Sequence, residues 1–67
     1  MNRIFIVNEE TQKQILSLNK AWANEFPRVG VQINRRTDGY SIIIDGPENE
    51  ASEYINRLLD NDIELDT

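Results

Sequence analysis

The chain contains neither cysteine nor histidine among its 67 residues, and this absence limits how the fold can be stabilised. No disulfide can form, and the side chains that usually hold structural zinc are missing. A chain of this length has room for one hydrophobic core, so residues 1–67 are interpreted as a single domain. Hydrophobic residues make up 39% of the sequence, enough for a core and too many for a disordered chain. We therefore expect a small globular domain that is stabilised by good packing, by oligomerisation or by a bound partner.

The first part of the chain has the pattern of a strand followed by a helix. Arg3 to Val7 is a β-branched and aromatic run, which predicts a strand buried on both faces. Asn8 suits a helix N-cap, and the helix is predicted from Glu9 to Phe26, where Pro27 ends it. One helical face carries the large apolar residues Ile15, Leu18, Trp22 and Phe26, which predicts that they pack in the core.

The second part predicts a hairpin, a helix and a short last strand. Apolar and polar residues alternate from Val29 to Asn34, and residues 37–39 form a turn in which Gly39 supplies a positive φ. Tyr40 to Ile44 is apolar on both faces and forms the second arm. Pro47 then begins a helix with its apolar face at Ala51, Ile55 and Leu58. Residues 62–66 alternate again, which predicts a short fourth strand.

This order is β-α-β-β-α with a short fourth strand, the topology of a ferredoxin-like α+β plait. Such a plait is an antiparallel sheet with two helices on one face, in which strands one and three are central. The other face carries no helices, and either Phe5 with Val7 or Ile4 with Ile6 lies on it. A homodimer or a partner could cover that apolar surface, and partial exposure is the other possibility.

Two segments resemble the RNA-recognition motif, a family with this topology. Ile4-Phe5-Ile6-Val7-Asn8 is similar to its first-strand signature, and Gly39-Tyr40-Ser41-Ile42-Ile43-Ile44 is similar to its third-strand signature. The resemblance implies that Phe5 and Tyr40 stack on bases. Ile42 and Asp38 stand where the family has an aromatic and a basic residue, so the resemblance serves as an indication of topology.

Charge is distributed unevenly along the chain. Residues 1–44 carry six Lys/Arg and four Asp/Glu, whereas residues 45–67 carry Arg57 alone against eight Asp/Glu. This asymmetry favours contact with a basic surface of a protein partner. If residues 60–66 form a strand, alternate carboxylates project about 6.8 Å apart on one face. The predicted partner-binding residues are Glu48, Glu50, Glu53, Asp60, Asp62, Glu64 and Asp66.

The leading functional hypothesis is a non-enzymatic acidic interaction protein, such as a phage-type inhibitor or nucleic-acid mimic. A solvated acidic face that keeps a small protein soluble is the competing interpretation. The alternative function is a module for single-stranded RNA or DNA, and structural homodimerisation is the third. The alternative uses Phe5 and Tyr40 for stacking and Arg28, Arg35 and Arg36 for phosphates. Arg35 and Arg36 point to opposite faces of a strand, and Asp38 is close enough to neutralise one of them.

Catalysis finds little support in the sequence. The commonest general base and the best thiol nucleophile are absent, and the three glycines do not form a phosphate-binding loop. We expect no cofactor and no metal. With no cysteine and no long apolar segment, we expect a cytoplasmic protein, acting in the host cytoplasm if it is phage-encoded.

Overall fold

A computed structural model describes residues 1–65 and shows three antiparallel strands and two helices. The order β-α-β-β-α matches the sequence prediction. The sheet order is β1-β3-β2, so the second arm of the hairpin is the central strand. The elements are β1 (Asn2–Val7), α1 (Glu9–Ala21), β2 (Gly30–Arg36), β3 (Gly39–Asp45) and α2 (Glu48–Asp60).

The turns form where the sequence places glycine and a capping residue. The Asn8 side chain accepts a hydrogen bond from the Thr11 amide at 2.8 Å and begins α1 as predicted. Gly39 follows the two-residue hairpin loop with φ +137°, and a Cβ there would overlap the Val7 carbonyl oxygen. Glycine is therefore required at Gly39 by both its backbone angle and its neighbour.

Helix α1 is shorter than predicted, because it ends at Ala21 and not at Phe26. The Trp22 amide still donates to the Leu18 carbonyl, and the Glu25 and Phe26 amides both donate to the Trp22 carbonyl. This turn keeps Trp22 and Phe26 in the core after the helix has ended. The apolar stripe was thus identified correctly, although its last members lie outside the helix.

The core lies between the sheet and the two helices. The sheet contributes Phe5, Val7, Ile42 and Ile44, all buried on the side that the helices cover. Burying a side chain of this size contributes about 1.5–3 kcal/mol relative to leaving it exposed, so these contacts dominate the stability. The helices, the turn after α1 and the last described segment complete the core with Ile15, Trp22, Phe26, Ala51, Tyr54, Ile55, Leu58 and Ile63.

The prediction that β1 is buried on both faces was wrong. Phe5 and Val7 face the helices, whereas Ile4 is 59% exposed and Ile6 is 36% exposed. Ile43 on β3 pairs with Ile4 and is half-buried, so three isoleucines lie on the side of the sheet without helices. We call this side the open face. Strand β3 has a neighbour at each edge, and its residues Ile42 and Ile44 are buried on the helix side.

Residues 62–65 do not form the predicted fourth strand, and Asp66 lies outside the described residues. The chain leaves α2 through a Schellman motif, in which the Ile63 amide donates to the Leu58 carbonyl and the Asp62 amide to the Leu59 carbonyl. Asp62 adopts φ +61° at the position that this motif usually gives to glycine. Within the described residues, β1 is therefore an edge strand and not a central one.

Candidate functional site

Three of the predicted carboxylates lie together at the end of α2. Asp60 is the last helical residue, Asp62 occupies the left-handed position of the Schellman motif, and Glu64 follows it. All three are exposed, while Ile63 between them is buried and holds the segment against the core. We call Asp60, Asp62 and Glu64 the carboxylate cluster. It is not the evenly spaced strand row that the sequence predicted, because the helix cap redirects the chain.

Two of the predicted carboxylates form ion pairs with arginines of the same chain. Glu50 receives Nη2 of Arg28 at 2.6 Å and Nε at 3.1 Å, a bidentate pair that raises the pKa of the Arg28 guanidinium through hydrogen bonding and charge. Glu53 lies 3.8 Å from Arg57, one helical turn along α2. The structure thus assigns Glu50 and Glu53 local partners within the fold.

Glu48 is exposed but lies apart from the carboxylate cluster. It begins α2 and Asp60 ends it, so their backbones are about 18 Å apart along the axis. This separation exceeds the screening length of about 8–10 Å at physiological salt. A single compact contact cannot use Glu48 and the carboxylate cluster equally.

Arg57 is the only cation of residues 45–67, and its charge is used within the fold. It pairs with Glu25 and Glu53, and its guanidinium carbon lies 5.6 Å from the Trp22 ring centroid and 4.8 Å from that of Phe26. Sequence reasoning missed this arrangement, because Glu25 and the two rings are distant from Arg57 along the chain. The only signal was that Arg57 stands alone among acidic residues.

The structure divides the residues proposed for nucleic-acid binding, because Arg35, Arg36 and Tyr40 line one cavity whereas Phe5 and Arg28 do not. Phe5 is 1% exposed in the core, so its predicted stacking role was wrong. Arg28 is paired with Glu50, and Arg36 Nε lies 3.3 Å from Asp38, as the sequence indicated for one arginine of the hairpin.

Arg35 and Tyr40 remain opposite each other in the β2–β3 register. They lie at the hairpin end beside a shallow cavity of about 260 Å³, whose other charged lining residues are Arg36, Glu9 and Asp38. The two carboxylates balance the two arginines of this lining and oppose phosphate binding.

A groove adjoins the carboxylate cluster and was not foreseen from the sequence. Its volume is about 370 Å³, and it separates the end of β1 from the segment after α2. Among residues 1–65, Glu64 is the one carboxylate in its lining, and the others are Ile6, Val7, Asn8, Thr11 and Leu65. The groove places a negative charge beside the end of β1.

The described residues 1–65 contain no group of three or more side chains placed to hold a metal ion. Neither α1 nor α2 has the length and the apolar content needed to cross a bilayer. Comparison of the chain with protein-family models, curated proteins and solved structures gives no match.

Proposed function

We propose that the protein binds a basic surface of a protein partner and has no catalytic activity of its own. The carboxylate cluster carries this proposal. Asp60, Asp62 and Glu64 are exposed within five residues of chain, and none forms a salt bridge within the described residues. Clustered charges of one sign steer an oppositely charged partner and accelerate its association.

The position of Arg57 supports the proposal, because this cation does not face the carboxylate cluster. Its guanidinium lies over Trp22 and Phe26 and pairs with Glu25 and Glu53. The positive charge closest in sequence to the carboxylate cluster is therefore already balanced. The negative field at the end of α2 remains available to Lys or Arg side chains of a partner.

The proposal also covers the type of fold and the cellular location. We interpret the fold as a ferredoxin-like plait in which β1 is the strand that a fourth strand would cover. We expect a cytoplasmic protein, in the host cytoplasm if it is phage-encoded. Three carboxylates do not reproduce the one charge per about 1.7 Å of duplex DNA, so contact with a basic patch is favoured over close mimicry. Inhibition would follow where that patch is the working surface of the partner.

The test compares two variants with the same change in net charge. The first is Asp60→Lys, Asp62→Asn and Glu64→Lys, in which asparagine suits the left-handed position of Asp62. The control is Glu9→Lys, Glu10→Lys and Asp38→Asn, which changes exposed carboxylates of α1 and the hairpin. Tagged protein captures partners from a cell lysate with and without nuclease treatment, and mass spectrometry quantifies them.

We expect the wild-type protein and the control to recover the same basic protein at a stoichiometric level, and the first variant to lose it. Equal recovery by all three proteins would refute a role of the carboxylate cluster. Recovery that disappears on nuclease treatment would instead favour nucleic-acid binding.

A further inference from the structure

The outer edge of β1 has main-chain groups available to another strand. Met1 and Gly46 exchange both main-chain hydrogen bonds, at 3.0 and 2.7 Å, in the same register as the β1–β3 ladder. Hydrogen-bonded pairs alternate in an antiparallel ladder, so the peptide groups of Asn2, Ile4 and Ile6 point away from β3. No strand within residues 1–65 lies on that side of β1.

Strand β1 has few of the features that usually protect a sheet edge. It contains no proline, and its pairing with β3 is continuous without a bulge. Its one charged residue is Arg3, whose guanidinium lies 5.4 Å from the Phe5 ring centroid. The other edge strand, β2, ends in Arg35 and Arg36. The chemistry of β1 therefore favours an extended chain as occupant, because unpaired peptide groups in a row are satisfied by another strand.

Apolar side chains flank this edge on both faces of the sheet. Ile4 and Ile6 lie on the open face. On the helix side, the Ser52 hydroxyl lies 3.8 Å from the Met1 sulfur, which places this side of α2 over the start of β1. Leu59 follows Ser52 by two helical turns and is 48% exposed. A strand added to β1 would cover apolar surface on both of its own faces.

Charge distinguishes between the possible occupants of the edge. A second copy would bring another net charge of -5 to a molecule that already carries -5. Glu64 lies in the groove beside Ile6 and Val7, at the carboxyl end of β1. A strand carrying Lys or Arg meets this carboxylate favourably, whereas a second acidic chain does not.

We propose that the edge of β1 accepts an extended, basic segment of the partner protein as an additional antiparallel strand. This inference rests on the proposed function, since it names the part of the basic partner that is bound and adds main-chain pairing to the charge contact. Partner residues opposite Ile4 and Ile6 are apolar, because their side chains share the open face with these isoleucines. The alternate partner residues lie on the helix side, where a Lys or Arg reaches Glu64.

The probe is a capped heptapeptide of alternating valine and lysine, valine at both ends. Two analogues each carry two N-methyl groups. In the first analogue the methyl groups are on the two central valines, and in the second they are on two of the lysines. Both analogues keep the composition and the charge of the parent. With valine opposite Ile4 and Ile6, the valine amides point at β1, so N-methylation of valine removes hydrogen bonds to the edge and N-methylation of lysine does not.

Binding is measured by titrating the ¹⁵N-labelled chain with each peptide and following its amide signals. We expect the valine-methylated peptide to bind at least about tenfold more weakly than the lysine-methylated one, since two main-chain hydrogen bonds are lost. We also expect the parent peptide to slow hydrogen exchange at the Ile4 and Ile6 amides. Any other order of the two affinities overturns the proposal.

The titration separates this proposal from the proposed function. Equal binding of both methylated peptides, with signal changes confined to the carboxylate cluster, overturns strand addition but leaves binding of a basic partner in place. Protection of Ile4 and Ile6 that increases with protein concentration, without peptide, assigns the edge to a second copy and overturns the proposal. Changes at Ile4 and Ile6 caused by oligothymidylate in place of the peptide also overturn it.

Two proline variants give a second measurement that does not depend on peptide design. Ile4→Pro removes an outward amide of β1 without breaking the ladder to β3. Arg35→Pro is the control. Because the Arg36–Gly39 pair closes the hairpin, the next amide, that of Arg35, points outward from β2. A proline at Arg35 therefore also removes an outward amide, but on the other edge of the sheet. We expect Ile4→Pro to lose about tenfold in peptide affinity and Arg35→Pro to keep the wild-type value, with both folds checked by their amide spectra. Equal affinity of the two variants contradicts the proposal.

Discussion

Arg57 connects the end of α1 to α2 through two kinds of contact, and its removal has a calculable cost. Its guanidinium lies over the Trp22 and Phe26 rings at 5.6 and 4.8 Å, each worth about 0.5–1 kcal/mol for a partly exposed cation. Its pairs with Glu25 and Glu53 add about 0.3 kcal/mol each, because both carboxylates are more than half exposed. We therefore expect Arg57→Ala to lower the free energy of unfolding by about 2 kcal/mol.

The substitution Arg57→Lys distinguishes the contribution of the positive charge from that of the planar guanidinium. Lysine keeps the positive charge beside Glu25 and Glu53 but does not stack on the rings, so we expect a loss of about 1 kcal/mol. Arg36→Ala is the matched control, because Arg36 pairs with Asp38 at an exposed site and is not among the cation–π contacts of residues 1–65. We expect it to change the free energy of unfolding by about 0.3 kcal/mol or less.

Urea unfolding followed by tryptophan fluorescence measures these differences, and circular dichroism gives the melting temperature. A loss of 2 kcal/mol corresponds to a decrease of about 10 °C in Tm for a domain of this size. The m-value should stay constant, since no variant alters the buried area substantially. An Arg57→Ala variant as stable as Arg36→Ala would refute the stabilising role assigned to the stacked guanidinium.

Two further perturbations test the hairpin and the buried tyrosine. Gly39→Ala should lower the free energy of unfolding by at least about 2 kcal/mol, because Gly39 has a positive φ and a Cβ there overlaps Val7. Gly30→Ala is the control, since a Cβ there meets no atom closer than 3.9 Å. Measured by urea unfolding, the control should cost less than half as much. Tyr54 donates to Asn19 at 2.8 Å, and burial raises the pKa of its hydroxyl to about 12. Stability should therefore be constant below pH about 10 and fall by up to about 2 kcal/mol between pH about 10 and 12, a fall that Tyr54→Phe removes. An unchanged alkaline fall in that variant would contradict the assignment.

Local patterns predicted most of the fold because the elements are set by near neighbours. The Asn8 cap, the helix stripes and the hairpin at Gly39 all depend on residues within a few positions of one another. The error at the end of α2 has a different origin. Asp62 to Leu65 alternate as a strand would, yet Ile63 is buried through a Schellman motif that gives the same inside–outside order without strand pairing.

The candidate site was less predictable because it depends on which charges meet in space. Composition alone made Glu50 and Glu53 equivalent to Asp60 and Glu64. The folded chain brings Arg28 to Glu50 across the domain, and no periodicity in the sequence indicates this contact. Similarly, the parity of β1 allowed either Phe5 or Ile4 to face outward, and only the position of the helices decides between them.

The most direct test of the central claim is the salt dependence of the association rate with the captured partner. It compares the wild-type protein, the variant Asp60→Lys, Asp62→Asn, Glu64→Lys and its charge-matched control. We expect the wild-type and control rates to fall about tenfold or more as salt increases from about 0.05 to 0.5 M, because screening weakens electrostatic steering. The carboxylate variant should associate slowly at every salt concentration. If its rate matched the wild-type rate at low salt, the carboxylate cluster would not be the binding surface.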